Sequence, residues 1–576
     1  MDALILEKAK TWTEGNFDDA TKSTVKEMIA NDPAGLTDSF YRNLEFGTGG
    51  LRGIMGVGTN RMNRYTVGMA TQGLANYVKK MFPGASPVKM AISYDSRNNS
   101  PYFARITAEV LAANGFIVYL FDELRPTPEL SFAIRRLGCK SGVMITASHN
   151  PKEYNGYKAY WDDGAQFISP HDENVIREVE LISSIDQVKW QGREENIISI
   201  GKDIDEAYLQ KLQSLSLSPE IIRKEKDLKI VYTPLHGTGR KLVPEILKRF
   251  GFENVNPVAA QMTADGNFPT VHSPNPEEHS ALDMGLQLAE KIHAGLVMAT
   301  DPDADRVGIA VRDKNGRMIL LNGNQTAALL FYYVIRKWQE SGRLKGKQFI
   351  VKTIVTSELL KDIAVSFNLK YYNVLTGFKY IADIIRRNEG REEFIIGGEE
   401  SYGYLAGDFV RDKDAVGACA LIAETAAWAA SQGKSLFDLL IEIYVRYGFY
   451  KESLLSVTRK GQSGAEEIQQ MMISYRLHPP LEINRSRVIK IKDYQSQTDK
   501  DLIRNTETVI DLPKSNVLQF FTADGSVVSV RPSGTEPKIK FYFGVRETLK
   551  DQAAFEETER KIDDKLQGII TSLNLK

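Results

Sequence analysis

One pattern recurs three times along this chain and limits what it can fold into: strand, helix, strand, helix, strand, polar loop. The first copy has apolar runs at 89–95, 116–121 and 143–145, the second at 229–232, 255–258 and 295–298, and the third at 349–355, 369–373 and 394–396. Three loops follow these copies. They are Thr146-Ala147-Ser148-His149-Asn150-Pro151, Asp301-Pro302-Asp303-Ala304-Asp305-Arg306 and Gly397-Gly398-Glu399-Glu400-Ser401. Past each loop the chain resumes as an extended run, at 157–164, 307–316 and 404–413. Strands alternating with helices predict an α/β class with mostly parallel sheets covered by helices on both faces. Ligands of such sheets lie beyond the carboxyl ends of the strands, where all three polar loops fall.

A chain of 576 residues is too long for one core, and about four domains are expected at about 150 residues each. The pattern sets boundaries at 1–203, 204–316, 317–449 and 450–576. The first segment opens with a helical arm over residues 1–40, on which Leu4, Ile5, Ala9 and Trp12 form one apolar face. The last segment differs. It carries fewer long apolar strands and more polar helix, and ends in a strand, the turn Arg531-Pro532-Ser533-Gly534-Thr535-Glu536-Pro537 and another strand at 539–543.

The net charge of -1 implies no nucleic acid and no anionic membrane surface as a partner. Any phosphate must therefore be met by local groups. Cys139 and Cys419 lack metal-type spacing and read as small buried apolar groups of a reducing compartment. The first residues have no basic region or cleavage site, so a cytoplasmic location is expected. The apolar stretch 415–430 is too short to span a bilayer and contains Glu424, which makes it a buried core helix.

Each loop has its own chemistry. A serine at the end of a buried strand, followed by Pro151, is held still in a tight loop. Asp301, Asp303 and Asp305 alternate, so an extended or gently curved loop would put their carboxylates on one side. Two such charges 4 Å apart repel by about 4 kcal/mol at an effective dielectric of 20. Three want a cation, and an all-oxygen site suits Mg²⁺. By that count Asp303→Ala should silence the site at no cost in stability. A calcium EF-hand is excluded by Arg306 at its sixth position and Arg312 at its twelfth.

Arg531, Ser533, Gly534 and Thr535 offer a guanidinium fork, two hydroxyls and freed backbone N–H groups, which suit a phosphate dianion. Glu399 and Ser401 suit sugar hydroxyls. Four glycines between Gly47 and Gly53 permit close approach to a ligand, and Arg52 beside them can grip an anion. Lys158 can fold back over the serine as a general acid or base. Adjacent side chains usually diverge, which makes Ser148 and His149 a poor dyad, and the Gly-x-Ser-x-Gly elbow of acyl-transfer enzymes is absent. The inventory fits phosphoryl transfer on a polyol.

From Phe46 to Lys540 the four ordered loops resemble those of the α-D-phosphohexomutases, the phosphoglucomutase/phosphomannomutase family. The resemblance implies four domains around a central cleft, three related α/β repeats with mixed sheets and a smaller α+β fourth. It implies that Ser148 is carried as phosphoserine, with Arg52, His149 and Lys158 about it. Mg²⁺ would be held by Ser148, Asp301, Asp303 and Asp305, and the substrate by Arg306, Lys379, Glu399, Ser401, Arg531, Ser533, Gly534 and Thr535. Asp265-Gly266-Asn267-Phe268-Pro269 and Pro274-Asn275-Pro276-Glu277 are similar to second-domain signatures.

The implied activity interconverts hexose 1-phosphate and hexose 6-phosphate through a hexose 1,6-bisphosphate that also serves as activator. The partners would be phosphosugars alone, bound by a monomer or homodimer. Glu399-Glu400-Ser401-Tyr402-Gly403 stands where many members have Gly-His after the serine, Lys540 where arginine is common, and Gly49 where alanine or serine is usual. Glucose is the expected sugar, with mannose and pentose phosphates open. A phosphatase or a non-catalytic sensor on the same scaffold also stays open.

Overall fold

The computed structural model describes residues 3–47, 50–85, 87–459, 461–533 and 538–575. Two compact units divide the chain. The first comprises Met1–Asn322, Phe378–Ile396 and Ser401–Gly433; the second comprises Gly323–Gly377, Gly397–Glu400 and Lys434–Lys576.

In the first unit the arm is three helices, Ala3–Glu14, Asp19–Asn31 and Pro33–Phe40. Asp18 caps the second by accepting Thr21 N, and Asp32 caps the third by accepting Gly35 N. Ile5, Ala9 and Trp12 are buried as expected, but Leu4 is 67% exposed and leaves that face. Trp12 stacks on Phe17 at 4.4 Å and meets Phe40 and Tyr65 edge-on, which fastens the arm to the helix Arg64–Met81.

The first sheet runs in the order Leu51–Ile54, Tyr154–Trp161, Ser141–Ile145, Lys89–Tyr94, Ile117–Phe121, Ile197–Ile200. Its first two pairings are antiparallel and the next three parallel. The second sheet repeats this plan as Met318–Leu321, Val307–Arg312, Leu296–Thr300, Ile230–Thr233, Val255–Pro257, again antiparallel and then parallel. The sheets are mixed because the run after each polar loop turns straight back beside the strand it has just left. Met144 thereby faces Lys158, and Gly308 faces Ala299.

The helix Ala415–Ala430 is buried along its length, Glu424 included. The carboxylate is not idle. Its Oε1 accepts Ser216 Oγ at 2.8 Å, Leu217 N at 2.9 Å and Ser218 N at 2.6 Å. Glu424→Ala should strand two backbone donors of that loop and cost about 2–5 kcal/mol. A lowered thermal midpoint with activity retained at 25 °C is the expected result, and an unchanged midpoint would mean that the loop finds other partners.

In the second unit the strands Gln348–Thr353 and Lys370–Val374 pair in parallel. Its other sheet is antiparallel and is built on Phe449–Thr458, Lys538–Glu547, Val527–Pro532, Leu518–Thr522 and Ser486–Asp493, with Thr498–Asp501 and Thr506–Val509 at one edge. The polar helices Gly461–Leu477 and Phe555–Ser572 accompany it, as expected of an α+β segment. The sheet buries one face with period two: along Lys538–Glu547, Ile539, Phe541, Phe543 and Val545 are buried in alternation. Charged residues on the open face hide the strands from a reading by apolar runs. Among the described residues no helix is long and apolar enough to cross a membrane.

Candidate active site

The serine loop leaves the strand Ser141–Ile145 and is held by side chains just beyond the parallel neighbour Lys89–Tyr94. Asp95 Oδ2 accepts Thr146 Oγ1 at 2.6 Å, and Thr146 Oγ1 accepts Ser148 N at 2.8 Å. The guanidinium of Arg97 is fully buried. It donates to the carbonyls of Ser148 and Asn150, each at 2.5 Å, of Pro151 at 2.9 Å and of Tyr154 at 3.1 Å. Ser148 itself sits at φ 53°, in the left-handed region.

That backbone turn overturns the expectation that Ser148 and His149 diverge: Ser148 Oγ lies 3.2 Å from His149 Nδ1. Burial, together with the nearby cations Arg306 and Arg52, pushes the imidazole down to about 2, so it is neutral. Ser148 Oγ donates to Asp301 Oδ2 at 2.8 Å, which joins the first α/β segment to the second.

The three aspartates do converge, each with a carboxylate oxygen within 4.8 Å of the others, and all are buried. Of the two loop shapes expected, extended or curved, it is the curved one that brings them together, with a turn and Ala304 at φ 50°. The loop is stiffened from within, because Asp305 N and Arg306 N both donate to Asp301 Oδ1, at 3.1 and 3.0 Å.

Cations already answer part of the repulsion. Lys158 Nζ reaches Asp303 Oδ2 at 2.7 Å and Asp305 Oδ2 at 3.3 Å, and Lys413 Nζ reaches Asp305 Oδ2 at 3.1 Å. Burial works to raise the Asp305 carboxyl, but Lys158, Lys413 and Arg306 outweigh it and hold the group well below the usual carboxylate range. Asp301 is driven the other way, by burial and by Asp303 and Asp305. Asp303 Oδ1 and Asp305 Oδ1 are buried with no hydrogen-bond partner among the described residues. Buried carboxylate oxygens without a donor are what a hard divalent cation satisfies, so the donor set fits Mg²⁺.

Lys158 arrives on the antiparallel strand opposite Met144, not by a loop folding back. Arg52 lies opposite Gly156 on the edge strand and donates to Asn150 Oδ1 at 3.3 Å. Gly50 beside it serves the fold: a Cβ there, at φ 107°, would collide with the Tyr157 carbonyl oxygen. Arg306 pairs with Glu277 at 2.6 Å, and Ser273 Oγ donates to the His149 carbonyl at 3.0 Å. Lys379 pairs with Asp172 at 3.2 Å.

Glu399, Arg531 and Ser533 belong to the second unit, and Ser401 to the first. Glu399 Oε1 accepts Gly377 N at 2.8 Å, and Glu400 Oε2 accepts Thr353 Oγ1 and Thr356 Oγ1 at 3.2 and 3.0 Å. Tyr542 is pushed up to about 12 by burial and by the Glu400 charge, with Arg531 acting against them. The Arg531 strand therefore lies beside the Glu399–Glu400 loop. Arg531 is in strand, opposite Lys540, and not in a turn; Ser533 N donates to Lys538 O at 2.8 Å. Gly534 and Thr535 lie outside the described residues, and so does Gly49. Ser401 is half-buried, next to Tyr402, whose carbonyl accepts Val307 N at 3.0 Å.

Three groups at the site were not singled out from sequence. Lys413 ends the third extended run. Thr127 Oγ1 donates to Asp303 Oδ2 at 2.8 Å. Arg97 closes an Asp-x-Arg pair at the end of the first repeat strand, and that position was the available signal.

Repeated α/β segments that present a serine, three carboxylates and a lysine at strand ends define a phosphoryl-transfer scaffold. Family models match in order: the phosphoglucomutase/phosphomannomutase alpha/beta/alpha domain I over residues 43–186, domain II over 206–316, domain III over 322–447, and the C-terminal domain over 486–562. The chain belongs to the phosphoglucomutase/phosphomannomutase family.

It is 42% identical to a phosphoglucomutase of Staphylococcus aureus strain MRSA252 over 513 residues, 88% of this chain and 91% of that one. Identity to the enzyme of the same name from strain N315 is 41% over the same shares. Two solved structures share the fold. The Paramecium phosphoprotein pp63/parafusin in its open form has a TM-score of 0.65 at 18% identity, over 92% of this chain and 96% of that one. A phosphoglucomutase/phosphomannomutase family protein of Burkholderia thailandensis has a TM-score of 0.61 at 17% identity, over 90% and 96%.

Proposed function

We propose that this protein is a phosphosugar mutase that interconverts glucose 1-phosphate and glucose 6-phosphate. The observation that carries the reading is the 2.8 Å contact of Ser148 Oγ with Asp301, inside a buried triad of aspartates flanked by Lys158. In the first half-reaction the free hydroxyl oxygen of the sugar phosphate attacks the phosphorus on Ser148. The bond from phosphorus to Ser148 Oγ breaks, the sugar hydroxyl gives up its proton, and the serine oxygen takes one up. The bisphosphate then presents its other phosphate, and the same exchange in reverse recharges Ser148. Phosphate is conserved over the cycle.

Asp301, Asp303, Asp305 and an oxygen on Ser148 would hold Mg²⁺, which when bound neutralises charge on the moving group. His149 and Lys158 flank the exchange, and Arg52 and Arg306 supply anion contacts. Lys379, Glu399 and Ser401 are assigned to the sugar phosphate, and Arg531, Ser533, Gly534 and Thr535 to the phosphate that is not reacting. The domain limits 1–203, 204–316, 317–449 and 450–576 remain our assignment. Glucose is favoured over mannose and pentose because the Staphylococcus relatives bear that name.

The test is a panel of glucose, mannose and pentose 1-phosphates at fixed Mg²⁺, read as kcat/KM, with released inorganic phosphate measured alongside. A clear preference for glucose with no phosphate release is expected; steady release would mean a phosphatase. Glu399→Ala should lose a charge-assisted contact and about 10- to 150-fold in kcat/KM. The loss should shrink for a substrate that lacks the contacted hydroxyl. An equal loss on every sugar would instead assign Glu399 to holding Gly377.

A further inference from the structure

The turn Asp265-Gly266-Asn267-Phe268-Pro269 is not itself among the groups assigned above to metal, sugar or phosphate. Its Phe268 is buried and lies at φ 47°, where a bulky aromatic is an outlier. Strain of this kind persists only where the surroundings enforce it. What the ring covers is the guanidinium of Arg97, with its Cζ 5.1 Å from the ring centroid.

The turn is locked in that place. Asn267 N donates to Asp265 Oδ1 at 2.8 Å, and Asn98 Nδ2 donates to Asn267 Oδ1 at 3.0 Å. A Cβ on Gly266 would collide with the backbone nitrogen of Asn98. Arg97 in turn gathers four carbonyls of the serine loop and the strand after it, and it pairs with Asp95 at 3.3 Å. One guanidinium thus fixes the path of the chain from Ser148 to Tyr154, and it is closed over by a side chain of the next α/β segment.

We propose that Arg97 is a positioning residue for Ser148 and that Phe268 is its clamp, so that the second α/β segment sets the aim of the serine oxygen. Four carbonyls demand a planar fork of donors, which a lysine ammonium cannot imitate. With Phe268 shortened, water reaches the guanidinium and competes for those carbonyls. The serine then loses its aim without losing the groups that bind sugar phosphate. Misplacement by about 1 Å costs on the order of 100-fold in rate.

The inference rests on the phosphoserine reading, and the experiment separates the two. Wild-type protein is first assayed for turnover and for phosphate on Ser148; failure there strikes the reading of the site, not the clamp. Arg97→Lys and Phe268→Leu are then compared with wild type. The expected result is a kcat lower by about 100-fold for Arg97→Lys and by about 3- to 30-fold for Phe268→Leu. KM for the sugar phosphate should stay within about threefold, since no binding group is lost. The ³¹P resonance of phosphorylated Ser148 should move or broaden in Phe268→Leu. If Arg97→Lys does not fold, Phe268→Leu decides alone. Wild-type kcat and an unmoved ³¹P resonance in Phe268→Leu would overturn the proposal, as would a loss confined to KM.

Discussion

Ser148→Ala should lose mutase activity by at least about 10⁴-fold, with or without added hexose 1,6-bisphosphate, because the group that accepts and returns the phosphoryl is gone. The fold should survive. The substitution removes one hydroxyl and its contact with Asp301, while Thr146 and Arg97 hold the loop through backbone atoms that alanine retains. Binding of sugar phosphate should also survive, since the anion contacts lie elsewhere. The same argument makes a demand on the unaltered protein. A mutase that returns a phosphoryl each cycle must start charged, so purified active protein should carry phosphate on Ser148, detectable by mass spectrometry of the peptide spanning residues 140–160. Dephosphorylated protein should be silent until hexose 1,6-bisphosphate is added. Fully active protein with an unmodified Ser148 and no need of bisphosphate would remove the covalent mechanism and leave only the fold.

The repeat was legible because its signal is local. Each apolar run is short and bounded, and each polar loop interrupts it at a strand end, so the strands Ser141–Ile145, Leu296–Thr300 and Glu393–Gly398 lie where the pattern put them. The contents of the loops were legible as chemistry for the same reason. Contacts that join distant segments were not. Arg97 meets Phe268, and Thr127 meets Asp303 across 176 positions, so no window of sequence contains either pair. The left-handed backbone at Ser148 and Ala304 was also beyond reach, because neither residue type announces it. The misjudged divergence of Ser148 and His149 follows from that omission. Of the fourth segment's strands only the last two were legible, because alternation with charged residues on the open face lowers the apolar density of a strand without weakening its buried side.

Asp303→Asn should abolish the response to magnesium and lower turnover by about 10³-fold. The readout that does not depend on activity is thermal. A ligand at 100 times its Kd stabilises the folded state by about 2.7 kcal/mol, so Mg²⁺ should raise the unfolding midpoint of wild type and leave that of the variant unmoved. Asparagine is the informative replacement because its carbonyl oxygen can still accept Thr127 Oγ1, and Lys158 keeps Asp305. Without metal the variant should therefore melt near wild type. Asp303→Ala should not. Counting three repelling carboxylates makes its removal look free, but the structure adds the cations to that count. Asp303 holds the closer of the two contacts to Lys158, at 2.7 Å, and taking it away leaves a buried ammonium with the 3.3 Å contact to Asp305, which Lys413 shares. Removing one partner of a buried pair costs about 3–5 kcal/mol. The order of metal-free stability should thus be wild type, then Asp303→Asn close behind, then Asp303→Ala well below. If Asp303→Ala matches wild type without metal, Lys158 is not held by this pair. If Asp303→Asn still gains stability from Mg²⁺, the cation binds elsewhere and the triad assignment fails.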